Sequence, residues 1–257
     1  MLYPTSLPEH YAPETDILSG KKIVLTGGAT DLGHAVAISC AHHGAELILI
    51  ERKERLVNNL YDEIVSIGAP EPLTVAFDIS KAETYHLNQL NDSLASEFDA
   101  IDGIVNLITS AAPLAPLGLC KPDVWQSFYQ TAVLQPLSLT NALLPSLQKA
   151  ERPSVIFSSL SAGQTGRAYW GPVGAAFSAG RNVCETFSEE HNEIRFNTLA
   201  PGRVATAVRH KYYPAEAKST LRECNDTLLL NHYLYLLDPV TTLTGEHLRV
   251  PDLETLA

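Results

Sequence analysis

One segment of the sequence has the residue types and spacing to hold a phosphate-bearing ligand: Thr26-Gly27-Gly28-Ala29-Thr30-Asp31-Leu32-Gly33. It follows the apolar run Lys22-Ile23-Val24-Leu25 and opens a helical pattern running from Gly33 to His43. Glycines at such a junction shape a tight strand-to-helix turn and let backbone N–H groups approach a pyrophosphate at the helix N-terminus. Many α/β proteins carry glycine there and bind nothing, so a second feature is needed. Glu51 is that feature, closing the next apolar run 18 residues beyond Gly33. An acidic side chain at this point accepts hydrogen bonds from the adenosine ribose hydroxyls and repels a 2′-phosphate. Asp31 either faces the pyrophosphate or caps the helix that follows, where the helix dipole favours a carboxylate. Metal chemistry finds no such support. The nine histidines include the adjacent pair His42-His43, which point different ways on a helix, and no HxxxH or HExxH pattern occurs. Cys40, Cys120, Cys184 and Cys224 are far apart without a CxxC pair and are expected to be buried, reduced thiols.

The elements that must position these residues alternate regularly. After Leu47-Ile48-Leu49-Ile50 and a charged helix through Ile67 come candidate strands at Leu73 to Phe77, Gly103 to Ile108, Val155 to Phe157, Arg195 to Leu199 and Glu246 to Val250. Short runs rich in Val, Ile and Leu, separated by helices, indicate a parallel sheet covered on both faces. The expected fold is therefore α/β: a single doubly wound Rossmann domain over residues 20–257 with a mostly or fully parallel seven-stranded sheet. Residues 1–19, with Pro4, Pro8 and Pro13, read as an extended N-terminal arm. A net charge of -11 argues against binding nucleic acid or an anionic membrane surface. Residues 103–120 and 124–148 carry no charge, yet Asn106, Gln130, Pro136 and Asn141 make them too polar to span a bilayer. A strand and a buried helix, kinked at Pro136, fit better, and a cytoplasmic protein is expected.

From about Ser19 to Val250 the chain resembles the short-chain dehydrogenase/reductases. The turn is similar to that family's TGxxxGxG, with Gly27 and Gly33 at its first and third glycines and Asp31 replacing the middle one. Val75-Ala76-Phe77-Asp78 resembles the end of its third strand, whose Asp contacts the adenine amine. Pro201-Gly202-Arg203-Val204-Ala205-Thr206 resembles the PGxxxT segment that cups the nicotinamide, and Thr244-Gly245-Glu246 followed by Val250 resembles the last strand. Gly166-Arg167-Ala168-Tyr169-Trp170-Gly171 is similar to a group of bacterial members related to 3-oxoacyl-carrier-protein reductases. The resemblance implies cofactor contacts from Gly27, Thr30, Leu32 and Gly33, from Glu51, Asp78 and Asn106, and from Pro201, Gly202, Val204 and Thr206. With Glu51 present, NADP(H) is less expected than NAD(H).

The same resemblance exposes departures. The family's chemistry uses a Tyr acid/base, a Lys four residues later that lowers the Tyr pKa, a Ser that holds the substrate carbonyl, and an Asn on the preceding long helix. Alignment places Val173 at the Tyr position, Phe177 at the Lys position, Leu160 at the Ser position (flanked by Ser158, Ser159 and Ser161) and Ala132 at the Asn position. No lysine lies between Lys149 and Lys211, and the family's NNAG becomes Asn106-Leu107-Ile108-Thr109. A missing general acid/base costs about 10² to 10⁴ in rate, and each lost ribose hydrogen bond about 0.5–1.5 kcal/mol. No residue of the standard catalytic set is expected. The first expectation is thus a ligand-binding, sensor or scaffold protein of this fold that retains weak NAD(H) binding. The alternative is an NAD(P)-dependent oxidoreductase of a carbonyl or alcohol with a non-standard acid/base, Tyr169 or a serine of 158–161. A third reading is a subunit that assembles with an active homologue.

Three further features concern the surroundings. Arg181 follows Val173 and Phe177 at helical spacing, so it either reaches the emptied site to hold an anion or lies at the surface. Tyr169 and Trp170 either wall a ligand or pack on their loop. In the family, the helices corresponding to 124–148 and 172–190 pair between subunits, and Gly174, Ala175, Ala176, Ser178, Ala179 and Gly180 are small enough for close approach. A homodimer or homotetramer follows as the expectation, with a different protein partner as the other option.

Overall fold

Alternating burial builds the sheet. In Lys22–Thr26 (β1), Ile23 and Leu25 enter one core layer and Val24 the other. Leu47 and Leu49 against Ile48 and Ile50 repeat the pattern in Glu46–Glu51 (β2). A strand covered on both faces has no polar side to present, which explains the near-continuous apolar runs of the sequence. The structure, a computed structural model, describes residues 7–8, 11–107, 111, 113–160 and 166–253. Leu73–Ala76 (β3), Gly103–Asn106 (β4), Ser154–Ser158 (β5), Arg195–Ala200 (β6) and His247–Arg249 (β7) complete seven parallel strands in the order β3-β2-β1-β4-β5-β6-β7. β4 was expected to run to Ile108; it ends at Asn106, and Ile108 and Thr109 lie outside the described residues.

Helices cover both faces. Asp31–His42 (α1), Asn58–Ser66 (α2) and Thr227–Leu237 (α8) bury Val36, Leu60 and Tyr233 in one layer. Thr84–Glu97 (α3), Gln135–Leu147 (α5) and Gly171–Glu190 (α6) bury Leu90, Leu139 and Phe187 in the other. Pro122–Tyr129 (α4) and the short Ala207–Tyr212 (α7) stand near the C-terminal edge of the sheet. Ahead of β1, where an extended course was expected, the described residues 15–20 form a run of turns. Leu18 is fully buried there, and its N–H donates to the His43 carbonyl at 2.9 Å. Cys40 and Cys184 are buried as expected, whereas Cys120 and Cys224 are only half-buried. Among the described residues no helix is long and apolar enough to cross a membrane.

Residues 124–148 depart from the single kinked helix expected of them. α4 passes into a π-helical turn at Gln130–Leu134, and α5 begins at Gln135 with Pro136 in its first turn. Pro136 has no N–H to give to the Ala132 carbonyl, and widening the preceding turn resolves the clash that a proline makes with that group. The released carbonyl faces α6. A Cβ placed on Gly180 would lie 2.6 Å from Ala132 O, so glycine is what lets the two segments meet.

Gly180→Ala should therefore destabilise the fold. Overpacking of up to about 3 kcal/mol outweighs a helix-propensity gain of about 1 kcal/mol, leaving a net loss of about 1–2 kcal/mol in urea unfolding. Gly118→Ala, with nothing within 4 Å of the added carbon, should stay within about 0.5 kcal/mol of the parent.

Candidate functional site

The strand order reverses between β1 and β4, and a doubly wound sheet binds ligands in the crevice at that point, beyond the carboxyl ends of the strands. A cavity of about 620 Å³ lies there. Its first wall is the glycine turn, with Thr30 and Leu32. Its second is the segment after β6, with Pro201, Gly202, Val204 and Thr206. Ser158, the last residue of β5, with Ser159 and Leu160 after it, lines it between them.

Local chemistry explains the turn. Gly27 takes φ 79, a left-handed conformation that costs glycine little. Thr30 Oγ1 donates to the Gly27 carbonyl at 2.7 Å and accepts from the Gly33 N–H at 3.0 Å, capping α1. A Cβ on Gly33 would collide with the Gly27 carbonyl. Gly27 and Gly33 thus shape the cavity wall from behind. Glu51 Oε1 accepts from the Ala29 N–H at 3.2 Å. Asp31 lies in the first turn of α1, where the helix dipole favours a carboxylate as expected, and it also lines the cavity. Its Oδ2 accepts from the Ala207 N–H at 2.8 Å, so it caps α7 across the cleft and ties the two walls together. Asp78 is turned onto Ser80 and Lys81, and the Ser80 hydrogen bond, followed by the Lys81 charge, holds its carboxyl below the ordinary range despite an opposing desolvation. Asn106 sits deeper; its Nδ2 and Thr26 Oγ1 are buried with no hydrogen-bond partner among the described residues.

The structure brings Val173, Phe177, Ala132 and Leu160 together. The first three are buried with Phe128, Trp170 and Ala176 in one apolar cluster, and Leu160 packs against it. Phe177 and Ala132, with Asn106, Thr131, Pro136 and Ser158, enclose about 10 Å³, room for at most one water. Of the residues weighed as substitutes, Ser158 and Ser159 line the large cavity, and Ser161 lies outside the described residues. Tyr169 is 57% exposed with φ 72 and lines a separate cleft beside Trp125 and Gly174. Trp170, largely buried in the apolar cluster, borders both that cleft and the large cavity. Arg181 is not part of it and pairs with Glu185 at 3.2 Å.

The rest of the wall was not anticipated. Arg167, Arg203, Arg209 and Arg249 line the cavity with Tyr212, Tyr213, Glu216 and Asp252. Glu216 accepts from Arg209 at 2.7 and 2.6 Å and from Arg203 at 3.1 Å. Its carboxyl is held below the ordinary range, first by the Arg209 hydrogen bond and against desolvation. A depressed carboxyl pKa stabilises the fold above the ordinary glutamate value of 4.5 and loses that contribution as pH falls below it. Arg209 lies over the Tyr213 ring at 4.1 Å, Arg167 over Trp170 at 5.4 Å, and Trp170 meets Tyr212 and Tyr213 at 4.8 and 5.9 Å. The dense run Arg209-His210-Lys211-Tyr212-Tyr213 directly after the PGxxxT segment was the available sequence signal.

Comparison with known proteins bears on this arrangement. The family model described as short chain dehydrogenase matches residues 21–217. A relative from Escherichia coli strain K12, the uncharacterized oxidoreductase YciK, is 30% identical over 229 residues, covering 89% of this chain and 90% of the relative. A structure of a short chain dehydrogenase from Pseudomonas syringae superposes with TM-score 0.90 at 30% identity, covering 94% of this chain and 99% of that one. Another, from Escherichia coli CFT073 and complexed with NADPH, gives TM-score 0.88 at 28% identity over 93% and 99% of the two chains.

Asp31→Ala should release the Ala207 N–H. A lost helix cap costs about 1 kcal/mol, so amide hydrogen exchange over residues 207–212 should accelerate about fivefold, as read by mass spectrometry. Unchanged exchange there would mean that Asp31 does not hold α7 in solution.

Proposed function

The chain belongs to the short-chain dehydrogenase family, and from that premise we propose that it is an NAD(P)(H)-dependent oxidoreductase of a carbonyl or alcohol that works without the family's Tyr–Lys pair. The observation that carries this reading is the cavity itself. The phosphate-suited turn forms one wall, the PGxxxT segment the opposite one, and the hydroxyls of Ser158 and Ser159 stand between them.

A dinucleotide suits the residues present. Thr30 and Leu32 on the turn and Pro201, Gly202, Val204 and Thr206 opposite would hold it, with Asp78 toward the adenosine end and Asn106 beside Phe177 and Ser158 at the other. The unpartnered buried Asn106 Nδ2 and Thr26 Oγ1, at the ends of β4 and β1, suit a polar ligand. Its nicotinamide would supply or take up a hydride. The expected preference for NAD(H) over NADP(H) loses its ground, because Glu51 is engaged by Ala29 N–H while Arg52 and Lys53 lie exposed beside it. Those two cations suit a 2′-phosphate, and a related structure was solved with NADPH. Expected weakness of binding has no support either. The proton would come from Ser158 or Ser159, rather than from Tyr169 in its separate cleft. A hydroxyl with no lysine beside it is a weak acid, so turnover should run about 10² to 10⁴ below that of a Tyr–Lys enzyme.

A second reading, a ligand-binding, sensor or scaffold protein without turnover, draws on the sealed apolar cluster of Val173, Phe177, Ala132 and Leu160. It treats these as replacements of the whole catalytic set. A homodimer or homotetramer through 124–148 and 172–190 suits both readings, although Ala176 and Gly180 already face inward and leave Gly174, Ala175, Ser178 and Ala179 for a partner. Light scattering showing a monomer at micromolar concentration would remove that part.

Calorimetric titration with NADPH and NADH, followed by a carbonyl screen, separates the two readings. Micromolar binding with slow reduction, lowered at least about tenfold by Ser158→Ala or Ser159→Ala, supports the enzyme. Binding without turnover supports the second reading, and no binding of either dinucleotide overturns both the enzyme and any redox sensor.

A further inference from the structure

We propose that the substrate end of the large cavity binds an anion, a carboxylate or phosphate carried on an apolar, ring-sized body. This deepens the oxidoreductase reading and rests on it, since the dinucleotide is taken to occupy the turn side of the same cavity.

Charge points to the anion. Four of the chain's ten arginines, Arg167, Arg203, Arg209 and Arg249, line this cavity, Arg167 at the border it shares with the cleft beside Tyr169. One carboxylate, Glu216, serves both Arg203 and Arg209, with closest contacts of 3.0 and 2.6 Å. Asp252 pairs with Arg249 at 2.5 Å. Arg167 has no carboxylate partner among the described residues; its guanidinium lies over Trp170. Among the described residues that line the cavity, the four guanidiniums exceed Glu216 and Asp252 by two positive charges, and still by one with Asp31 counted. In a protein of net charge -11, a positive wall inside a concave, partly dry site concentrates and orients an anion. Glu216 also fixes the fork of Arg209, so the guanidinium is already ordered before a ligand arrives.

The apolar body is read from the remaining lining. Leu160, Val208, Trp170 and Tyr212 share the cavity with the arginines. Leu160 presents carbon at the position where the family would present its catalytic Ser, and Trp170 adds an aromatic face beside it. A small inorganic anion would leave this surface wet, whereas a ring-sized body covers it.

The arginines have two possible sources of anion, a substrate or the dinucleotide's own phosphates, and the test separates them. The intact protein is titrated calorimetrically with 2-naphthoate, 2-naphthyl phosphate and neutral 2-naphthamide, with and without saturating NADP⁺. At least one of the two anions should bind about tenfold or more tightly than the amide in either condition. Arg167→Gln, which breaks no carboxylate pair among the described residues, should abolish most of that preference and leave NADP⁺ affinity within about twofold. Arg167→Lys should keep part of the preference. Equal binding of amide and anions overturns the proposal. Loss of NADP⁺ affinity in Arg167→Gln, matching the loss of anion affinity, also overturns it and assigns the arginine to the dinucleotide. Should NADP⁺ not bind at all, the cofactor reading fails while the titrations without it still decide the anion site.

Discussion

A parallel sheet buried on both faces leaves its backbone and side chains open to a ligand mainly at the strand ends. Everything in this molecule follows from where its strand order reverses. β1 leads outward to β2 and β3, the chain then returns to β4 on the other side, and the loops after β1 and β4 part from one another. The crevice this opens is walled by the glycine turn and by the segment after β6. It persists because Gly33 lets α1 start directly against the Gly27 carbonyl. A side chain there would push the helix and the turn apart and close the crevice from behind.

The second constraint is packing between the π turn and α6. Family chemistry would place a lysine and a tyrosine here, with an asparagine facing them across the helix pair. Val173, Phe177 and Ala132 instead fill this space with carbon, which removes the desolvation cost of burying charged or hydroxylated groups. The π turn imposed by Pro136 remains, and so does the close approach of Gly180 to Ala132 O. These contacts frame a small apolar core beside the cavity. Ser158, Ser159 and the arginines line the cavity next to this core.

Electrostatics then divides the cleft. Carboxylates stand at the turn, with Glu51 on the Ala29 N–H and Asp31 on the Ala207 N–H. Guanidiniums and aromatic rings gather beyond the PGxxxT segment. The Asp31 contact joins the two regions, so the position of α7, and with it Arg209 and Tyr212, is coupled mechanically to the glycine turn.

Much of the fold was legible in the sequence because its cause is local. Period-two burial, runs of Val, Ile and Leu, and glycine at a strand-to-helix junction each depend on neighbours a few residues apart, and they located seven strands in one parallel sheet. The departures at Val173, Phe177, Leu160 and Ala132 were legible as residue types, and the tertiary structure showed them to be one cluster. Other features had no local signature. The π turn needed the carbonyl of Ala132, the ring of Pro136 and the missing side chain of Gly180 to meet. Asp31 had a choice of partners, and only the folding back of α7, 176 residues along the chain, made it the Ala207 N–H. The arginine wall draws on residues from 167 to 249, each an ordinary surface cation in sequence. Local periodicity and turn chemistry therefore determined the scaffold, whereas the course of the loops decided the site, because pairings across a cleft are set by which distant segments the packed helices bring within hydrogen-bond reach.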